Sequence, residues 1–306
     1  MKIIQNDTLT TSSSLSIIQS ISKSTSTTLE TMLSTQTHSR TIAVCIAGAA
    51  RSFPEKKVFQ SIRDNIVAVW NADVFAAIDL IDHSRKSSIK KYLTYSRIKR
   101  EDLDIPLAAL NITSQHFVLV SGNCTQTING RVTTFPQNQV GHQIWIQILC
   151  YEKIKEEEER RKQKYEWIVR ARPDVAYFLP VPPLLEFSND RIYIENHGSN
   201  KRYPGDMFAL IPREFADDYF TKRFSKYGCN PPGKLHHERT LVYLFHDSHI
   251  PWETNYGIAS VVKRAGGDFM CHFYWDRPDL QMCPKLRECF HFANVTPPPT
   301  LKCIFS

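Results

Sequence analysis

"WIVRARPDV", residues 167–175, sets a short apolar run directly before two arginines, a proline and an aspartate. The apolar residues predict a buried strand, and Pro173 predicts its end because proline has no N–H to donate to a sheet. Asp174 is therefore expected at the carboxyl end of a core strand, with Arg170 and Arg172 alternating onto the same face.

These three charged side chains allow two interpretations. In the first, the arginines neutralise a half-buried Asp174 within a structural ion-pair cluster. In the second, Asp174 holds a divalent cation or a ribose hydroxyl of a ligand. A charged group at the end of a core strand loses hydration and needs partners under either interpretation, and the spacing alone does not choose between them.

The rest of the chain alternates between strand-like and helix-like patterns. Short apolar runs predict buried strands, and the segments between them carry apolar residues at helical spacing. The predicted strands are residues 42–46, 72–78, 116–120, 167–171, 191–195 and 206–211, and the predicted helices are residues 54–70, 143–164 and 213–220. This alternation predicts an α/β fold with a mostly parallel central sheet flanked by helices. Ligands of such sheets bind outside the carboxyl ends of the strands, where Asp174 is expected.

Two segments of different composition divide the chain. Residues 1–40 hold 19 serines and threonines and no aromatic residue. A segment of this kind buries too little apolar surface to offset the entropy lost on ordering. We therefore predict a flexible tail over residues 1–40 and one folded domain over residues 41–306.

Composition and charge restrict the function classes. The net charge of +7 is spread along the chain, with basic residues alternating with acidic ones, so we predict no nucleic-acid partner. No apolar run approaches the roughly 18 residues that a membrane helix needs, so no transmembrane segment is predicted. A basic site for a phosphorylated small molecule is compatible with this charge.

Signals for the cellular compartment point in two directions. Four N-x-S/T sequons, at Asn6, Asn111, Asn123 and Asn294, and five cysteines in the last third of the chain favour a secretory lumen. The first residues lack the basic and apolar regions of a signal peptide, which favours the cytoplasm. These signals do not decide the cellular compartment. They therefore do not decide whether the five cysteines in the last third of the chain form disulfides or remain free thiols.

The motif GAAR, residues 48–51, follows the first predicted strand. Gly48 would let the backbone approach a ligand closely. The N-terminus of the following helix would favour an anion, and the guanidinium of Arg51 could hydrogen-bond a diphosphate. The alternative is a tight turn at Gly48 and a surface charge at Arg51. This short motif alone does not decide between them.

Four segments together resemble one family of glycosyltransferases. They are IAVCIAGAARSF, SIRDNIVAVWNADVFAAI, YEWIVRARPDVAYFLP and GDMFALIPREFADDYF, in this order over residues 42–220, and G-x-x-R-S-F and R-x-R-P-D are their most specific motifs. The resemblance implies the GT-A, nucleotide-diphospho-sugar transferase type of fold, in which a Rossmann-like sheet binds a nucleotide-sugar donor at the end of its first strand. The donor-binding residues implied in this way are Gly48, Arg51, Arg170, Arg172 and Asp174.

This chain departs from the common GT-A pattern at the metal motif. GT-A enzymes usually carry Asp-x-Asp there, whereas RARPD has one acid, Asp174, with Arg172 two residues before it. Either Asp174 is the sole protein carboxylate on Mn²⁺ or Mg²⁺, or the arginines replace the metal by neutralising the leaving diphosphate. We favour the arginines, because an adjacent cation disfavours a bound metal.

Three later residues complete the candidate site. Asp206, in RYPGDMFALIPR, resembles an acceptor-side acid of the family and would be the base that deprotonates a hydroxyl, unless it only fixes a turn beside Gly205. Glu238, at the start of an apolar helix, is the second candidate base, and a structural interaction with the helix dipole is its alternative role. His272 matches the late metal-binding histidine of many GT-A enzymes, although an ordinary buried or surface histidine would also fit.

The resemblance implies an enzyme that transfers a sugar from a nucleotide-diphosphate donor to a hydroxyl of a glycan or another acceptor. Two other functions stay open. The segment GAARSF after a strand is loosely similar to the phosphosulfate-binding loop of sulfotransferases. The single acid in RARPD also suits a transferase-like domain without activity that binds a glycan or a protein.

Overall fold

The computed structural model describes residues 41–80, 98–119, 123–128, 131–136, 139–195, 204–227, 237–255, 260–262 and 283–294. The predicted tail, residues 1–40, lies outside these ranges, so the division into a tail and one domain stays a prediction. His272 lies outside them as well.

The strands of the described residues are short. They are β1 (Ile42–Ala49), β2 (Asp73–Asp79), β3 (Ile112–Val118), β4 (Asn123–Ile128), β5 (Arg131–Pro136), β6 (Trp167–Ala171), β7 (Val175–Tyr177), β8 (Ile192–Glu195), β9 (Phe208–Pro212), β10 (Trp252–Asn255) and β11 (Ser260–Val262). Seven of them form the central sheet, in the order β10-β8-β9-β6-β1-β2-β3. The hairpin of β4 and β5 and the pair of β7 and β11 form two small sheets.

The central sheet is mostly parallel. Strands β3, β2, β1 and β6 pair in parallel, as do β8 and β10. Strand β9 lies between β6 and β8 and is antiparallel to both, so six of the seven strands run in one direction. This confirms the predicted α/β fold with a mostly parallel central sheet.

Helices connect the strands and cover the sheet. They are α1 (Lys56–Ile62), α2 (Ala68–Trp70), α3 (Asp104–Ala109), α4 (Gln139–Arg161), α5 (Arg213–Asp217), α6 (Arg223–Tyr227), α7 (His237–Asp247) and α8 (Cys283–Ala293). A π-helical turn joins α1 to α2, and another joins α5 to α6. No helix in these ranges is long and apolar enough to span a membrane.

The two faces of the sheet carry separate hydrophobic cores. In β1, Val44 and Ile46 belong to the core on the side of α1, whereas Cys45 and Ala47 belong to the core on the side of α4. Because β1 is buried on both faces, its sequence is continuously apolar rather than alternating, as is typical of parallel strands. Helix α4 contacts both β1 and β2, and His142 and Gln143 in its first turns line a cleft together with the ends of these strands.

Among the predicted boundaries that differ from the structure, two have a clear physical reason. The helix predicted at residues 143–164 is Gln139–Arg161, and it ends where Lys162 adopts a positive φ of 53°. The strand predicted at residues 116–120 is Ile112–Val118. This strand is at the edge of the sheet and partly exposed, so most of it is polar and its apolar run marks only its end.

A disulfide joins the two layers of the domain. Cys45 of β1 and Cys150 of α4 are both buried and are bonded to each other, with their Cα atoms 5.9 Å apart. The bond closes a sequence separation of 105 residues. In the last third of the chain, where the sequence pattern placed candidate disulfides, Cys289 is also disulfide-bonded. The Cys45–Cys150 bond was not predicted, because Cys45 is indistinguishable from a core residue in its apolar run.

The double variant Cys45→Ala/Cys150→Ala should be markedly less stable than the wild type. A bond that closes a loop of about 100 residues is expected to contribute about 4–5 kcal/mol through the entropy of the unfolded chain. Urea denaturation under oxidising conditions measures the difference. An unchanged free energy of unfolding would contradict a cross-link between β1 and α4 in the folded protein.

Candidate active site

A cleft lies at the edge of the central sheet where β1, β2 and β6 end. The antiparallel strand β9 begins at the same edge, and the first turns of α4 form the opposite wall. The lining residues are Ala47, Gly48, Ala49, Arg51, Asp79, His142, Gln143, Ile146, Gln147, Arg170, Arg172, Asp174 and Asp206. The cleft is therefore rich in charged side chains, although the strands that lead into it are apolar.

Gly48 brings the two sequence motifs into contact. Its φ of +147° is rarely adopted by residues with a side chain, and a Cβ atom at this position would lie 3.1 Å from Cδ of Pro173. The end of β1 therefore packs directly on the turn that follows β6. The close neighbour of Gly48 in the structure is Pro173, and the expected approach of its backbone to a ligand stays a prediction.

Asp174 is the central acid of the cleft, and arginines hold both of its oxygens. Its side chain is only 2% exposed. Arg172 donates from Nε to Oδ1 at 2.8 Å and from Nη2 to Oδ2 at 2.7 Å, which is a bidentate pair. Arg51 donates from Nη1 to Oδ2 at 2.8 Å. The two arginines thus compensate a carboxylate that is almost fully removed from water.

Arg172 also bonds the second candidate acid. Its Nη1 atom lies 3.3 Å and 3.2 Å from the two carboxylate oxygens of Asp206, so one guanidinium connects Asp174 to Asp206. Burial works against the charge of Arg172, but the carboxylates of Asp174 and Asp206 outweigh it and raise the pKa of the guanidinium. Arg172 therefore remains a fixed positive charge between two negative ones.

A second buried pair lies on the other side of the cleft. Nε2 of His142, in the first turns of α4, is 3.0 Å from Oδ2 of Asp79 at the end of β2, and both side chains are buried. Together with the arginine contacts, this pair provides a basic partner for each of the three carboxylates that line the cleft.

Arg170 differs from the other arginines of the cleft. It is 3% exposed, and its Nε and Nη1 atoms are buried with no hydrogen-bond partner within the part of the chain that the structure describes. Nearby, Arg223 is fully buried and donates from Nε to Thr240 Oγ1 at 3.0 Å. Burial lowers the pKa of Arg223 to about 10, and the positive charge of Arg170 acts in the same direction. Arg170 therefore brings to the cleft a positive charge to which no acid among the described residues is bonded.

The structure brings most of the predicted site residues together. Those that line the same cleft are Gly48, Arg51, Arg170, Arg172, Asp174 and Asp206. Glu238 is not among the lining residues; it lies in the first turn of α7 and acts on the charge of Arg223. Of Arg170 and Arg172, only Arg172 bonds Asp174, although all three residues line the cleft. The chemical roles of all these residues stay predictions.

Sequence reasoning missed several charged residues at this edge. Asp79 directly follows the predicted strand 72–78, and its position at a strand end was an available signal. His142 had no such signal, because it reaches the site only through the packing of α4 on the sheet. Glu195, at the end of β8, is also buried, and its charge raises the pKa of Arg172.

The donor atoms at Asp174 do not fit a divalent cation. Both oxygens of this carboxylate accept N–H groups, and a guanidinium lies between it and Asp206. Within the ranges that the structure describes, no three His, Cys, Asp or Glu side chains are grouped to hold a metal ion. The expected binding of Mn²⁺ or Mg²⁺ to Asp174 therefore has no supporting set of ligands among the described residues. Metal binding by His272 stays a prediction.

The chain belongs to the family described as Domain of unknown function (DUF7796), whose sequence profile matches residues 37–208. This match includes every residue that lines the cleft. No curated protein matches the chain.

Two solved structures are similar to the chain. A glycosyltransferase involved in the glycosylation of the major capsid of PBCV-1 has a TM-score of 0.35 and 10% identity, over 70% of this chain and 81% of that one. The nucleoside-diphosphate-sugar pyrophosphorylase from Vibrio cholerae RC9 has a TM-score of 0.35 and 11% identity, over 80% of this chain and 99% of that one. Similarity at this level carries no argument about chemistry, which has to come from the chain's own residues.

Replacing Asp174 by asparagine should destabilise the folded protein. Arg51 and Arg172 would lose the charge that compensates them, which costs about 3 kcal/mol, the low end of the range for a broken buried pair, because Arg172 keeps Asp206. Chemical denaturation measures the change. Asp190→Asn is the matched control, since Asp190 pairs with Arg191 at the exposed surface and should change stability little. If Asp174→Asn and Asp190→Asn lowered the free energy of unfolding equally, the result would contradict the structural role of the Asp174 ion pairs.

Proposed function

We propose that this protein is a glycosyltransferase that moves a sugar from a nucleotide-diphosphate donor to a hydroxyl acceptor. The observation that carries the proposal is Arg170, a guanidinium in the cleft wall with two buried N–H-bearing atoms that have no partner among the described residues. The sequence resemblance over residues 42–220 supports the same assignment.

A buried arginine without a bonded acid calls for an anionic ligand. Leaving such a charged donor unsatisfied costs free energy, and each carboxylate that lines the cleft already has a basic partner. The oxygens of a diphosphate match the planar fork of a guanidinium, which can donate two parallel hydrogen bonds to them. The location of Arg170 at the carboxyl edge of a parallel sheet supports the same ligand class.

The proposed reaction transfers the sugar's anomeric carbon between two oxygens. Its bond to the diphosphate oxygen breaks, and the electron pair stays on that oxygen, where Arg51, Arg170 and Arg172 stabilise the developing charge. A new bond forms to the acceptor oxygen, whose proton passes to a base. We assign Asp206 as that base because it lines the cleft beside Arg172. Glu238 is the second candidate.

A transferase-like domain that binds a glycan or a protein without catalysis is the second candidate function. The observation in its favour is the ion-pair network itself, since Asp174 is held by two arginines and matches the interpretation of a structural cluster. Binding of a nucleotide-diphosphate donor separates the two functions. Sulfotransfer would require binding of adenosine 3′,5′-bisphosphate instead.

Thermal shift with a panel of nucleoside diphosphates, their sugars and adenosine 3′,5′-bisphosphate, with and without Mn²⁺, tests the proposal. At least one nucleoside diphosphate should stabilise the wild type, by about 2.7 kcal/mol when its free concentration is about 100 times Kd. Stabilisation by adenosine 3′,5′-bisphosphate alone would favour sulfotransfer, and no stabilisation by any compound would favour the non-catalytic domain.

The variant Arg170→Met should lose the nucleotide-induced shift while its unliganded melting temperature stays equal or rises. Methionine fills a similar space without leaving buried donors, each of which costs about 1–3 kcal/mol when it has no partner. Arg191→Met is the control, because Arg191 pairs with Asp190 and Glu253 at the surface, away from the cleft. A full nucleotide response in Arg170→Met would remove the main support for the proposal.

A further inference from the structure

We propose that the guanidinium of Arg172 takes the place of a divalent cation in this cleft, so that a nucleoside diphosphate binds here without a metal ion. The inference rests on the proposed function and concerns the positive charge that balances the leaving diphosphate.

The position of Arg172 carries the inference. Its three nitrogens reach two carboxylates, with Nε and Nη2 on Asp174 at 2.8 and 2.7 Å and Nη1 on Asp206 at 3.2 and 3.3 Å. Two acids that converge on one point are the arrangement in which a divalent cation would be expected. In this chain a guanidinium lies at that point.

A metal ion would have to displace this guanidinium. Mg²⁺ binds oxygen lone pairs at about 2.1 Å in near-octahedral geometry, and the oxygens of Asp174 already accept N–H groups from Arg172 and Arg51. The fixed positive charge of Arg172 would also repel the ion across a short distance in a site with little water. The side chain cannot leave the acids without leaving its own charge uncompensated.

The arginines supply what the metal would otherwise supply. Arg51, Arg170 and Arg172 all line the cleft, and among the described residues Arg170 is the one of these three without a bonded acid. Donors that are already fixed in place can stabilise charge on the leaving oxygen without reorganising during the reaction. Asp174 is then a positioning residue, which holds Arg51 and Arg172 toward the cleft.

A titration with Mn²⁺ alone, followed through the electron paramagnetic resonance signal of the free ion, tests the position of Arg172 directly. The wild type should not bind Mn²⁺ stoichiometrically. Arg172→Ala should gain such binding, because its removal leaves two carboxylates facing the same space. Arg191→Ala should not gain it, although Arg191 also bridges two acids, because Asp190 and Glu253 are exposed and already hydrated.

A second experiment measures nucleotide binding. The nucleoside diphosphate that stabilises the wild type in the thermal-shift panel should bind it equally well in EDTA and in Mn²⁺. Binding that requires Mn²⁺ would overturn the inference while leaving the proposed function intact. No binding in either buffer would overturn both. Stoichiometric Mn²⁺ binding by the wild type that is lost in Asp174→Asn, or no gain of Mn²⁺ in a folded Arg172→Ala, would overturn the inference without any nucleotide.

Discussion

The candidate site depends on one buried carboxylate, that of Asp174, and on the two arginines that bond it. Arg172 follows β6 and Arg51 follows β1, so the three side chains tie together the ends of two adjacent strands. Without this pairing, Asp174, whose side chain is 2% exposed, would lose the two guanidinium groups that compensate its charge. The parallel pairing of β1 with β6 and the ion pairs therefore support each other.

The same ion pairs determine which charged side chains of the cleft are available to bind a ligand. Asp174 and Asp206 are engaged by Arg172, and Asp79 is engaged by His142. Arg170 is left with buried donors that the described part of the protein does not satisfy. Folded proteins retain such costly groups mostly at functional sites, where a ligand supplies the missing partner.

Residues at strand ends were the most predictable part of the site. Asp174 could be placed from its own neighbours, because the apolar run before it and Pro173 beside it mark the end of a strand. Asp206 and Gly48 were placed by the same kind of local pattern, and both line the cleft. Glu238 begins a helix as predicted, but nothing local indicates that this helix starts away from the cleft.

The sequence by itself determined where the strands run and which charged residues end them, because apolar runs, prolines and glycines act on the chain over a few residues. Only the tertiary structure decided which charges meet. Arg51 bonds Asp174 across 123 residues of chain and His142 reaches Asp79 across 63, because the order of the strands and the packing of α4 bring these groups together. Such contacts depend on long-range packing, which no local pattern of residues encodes.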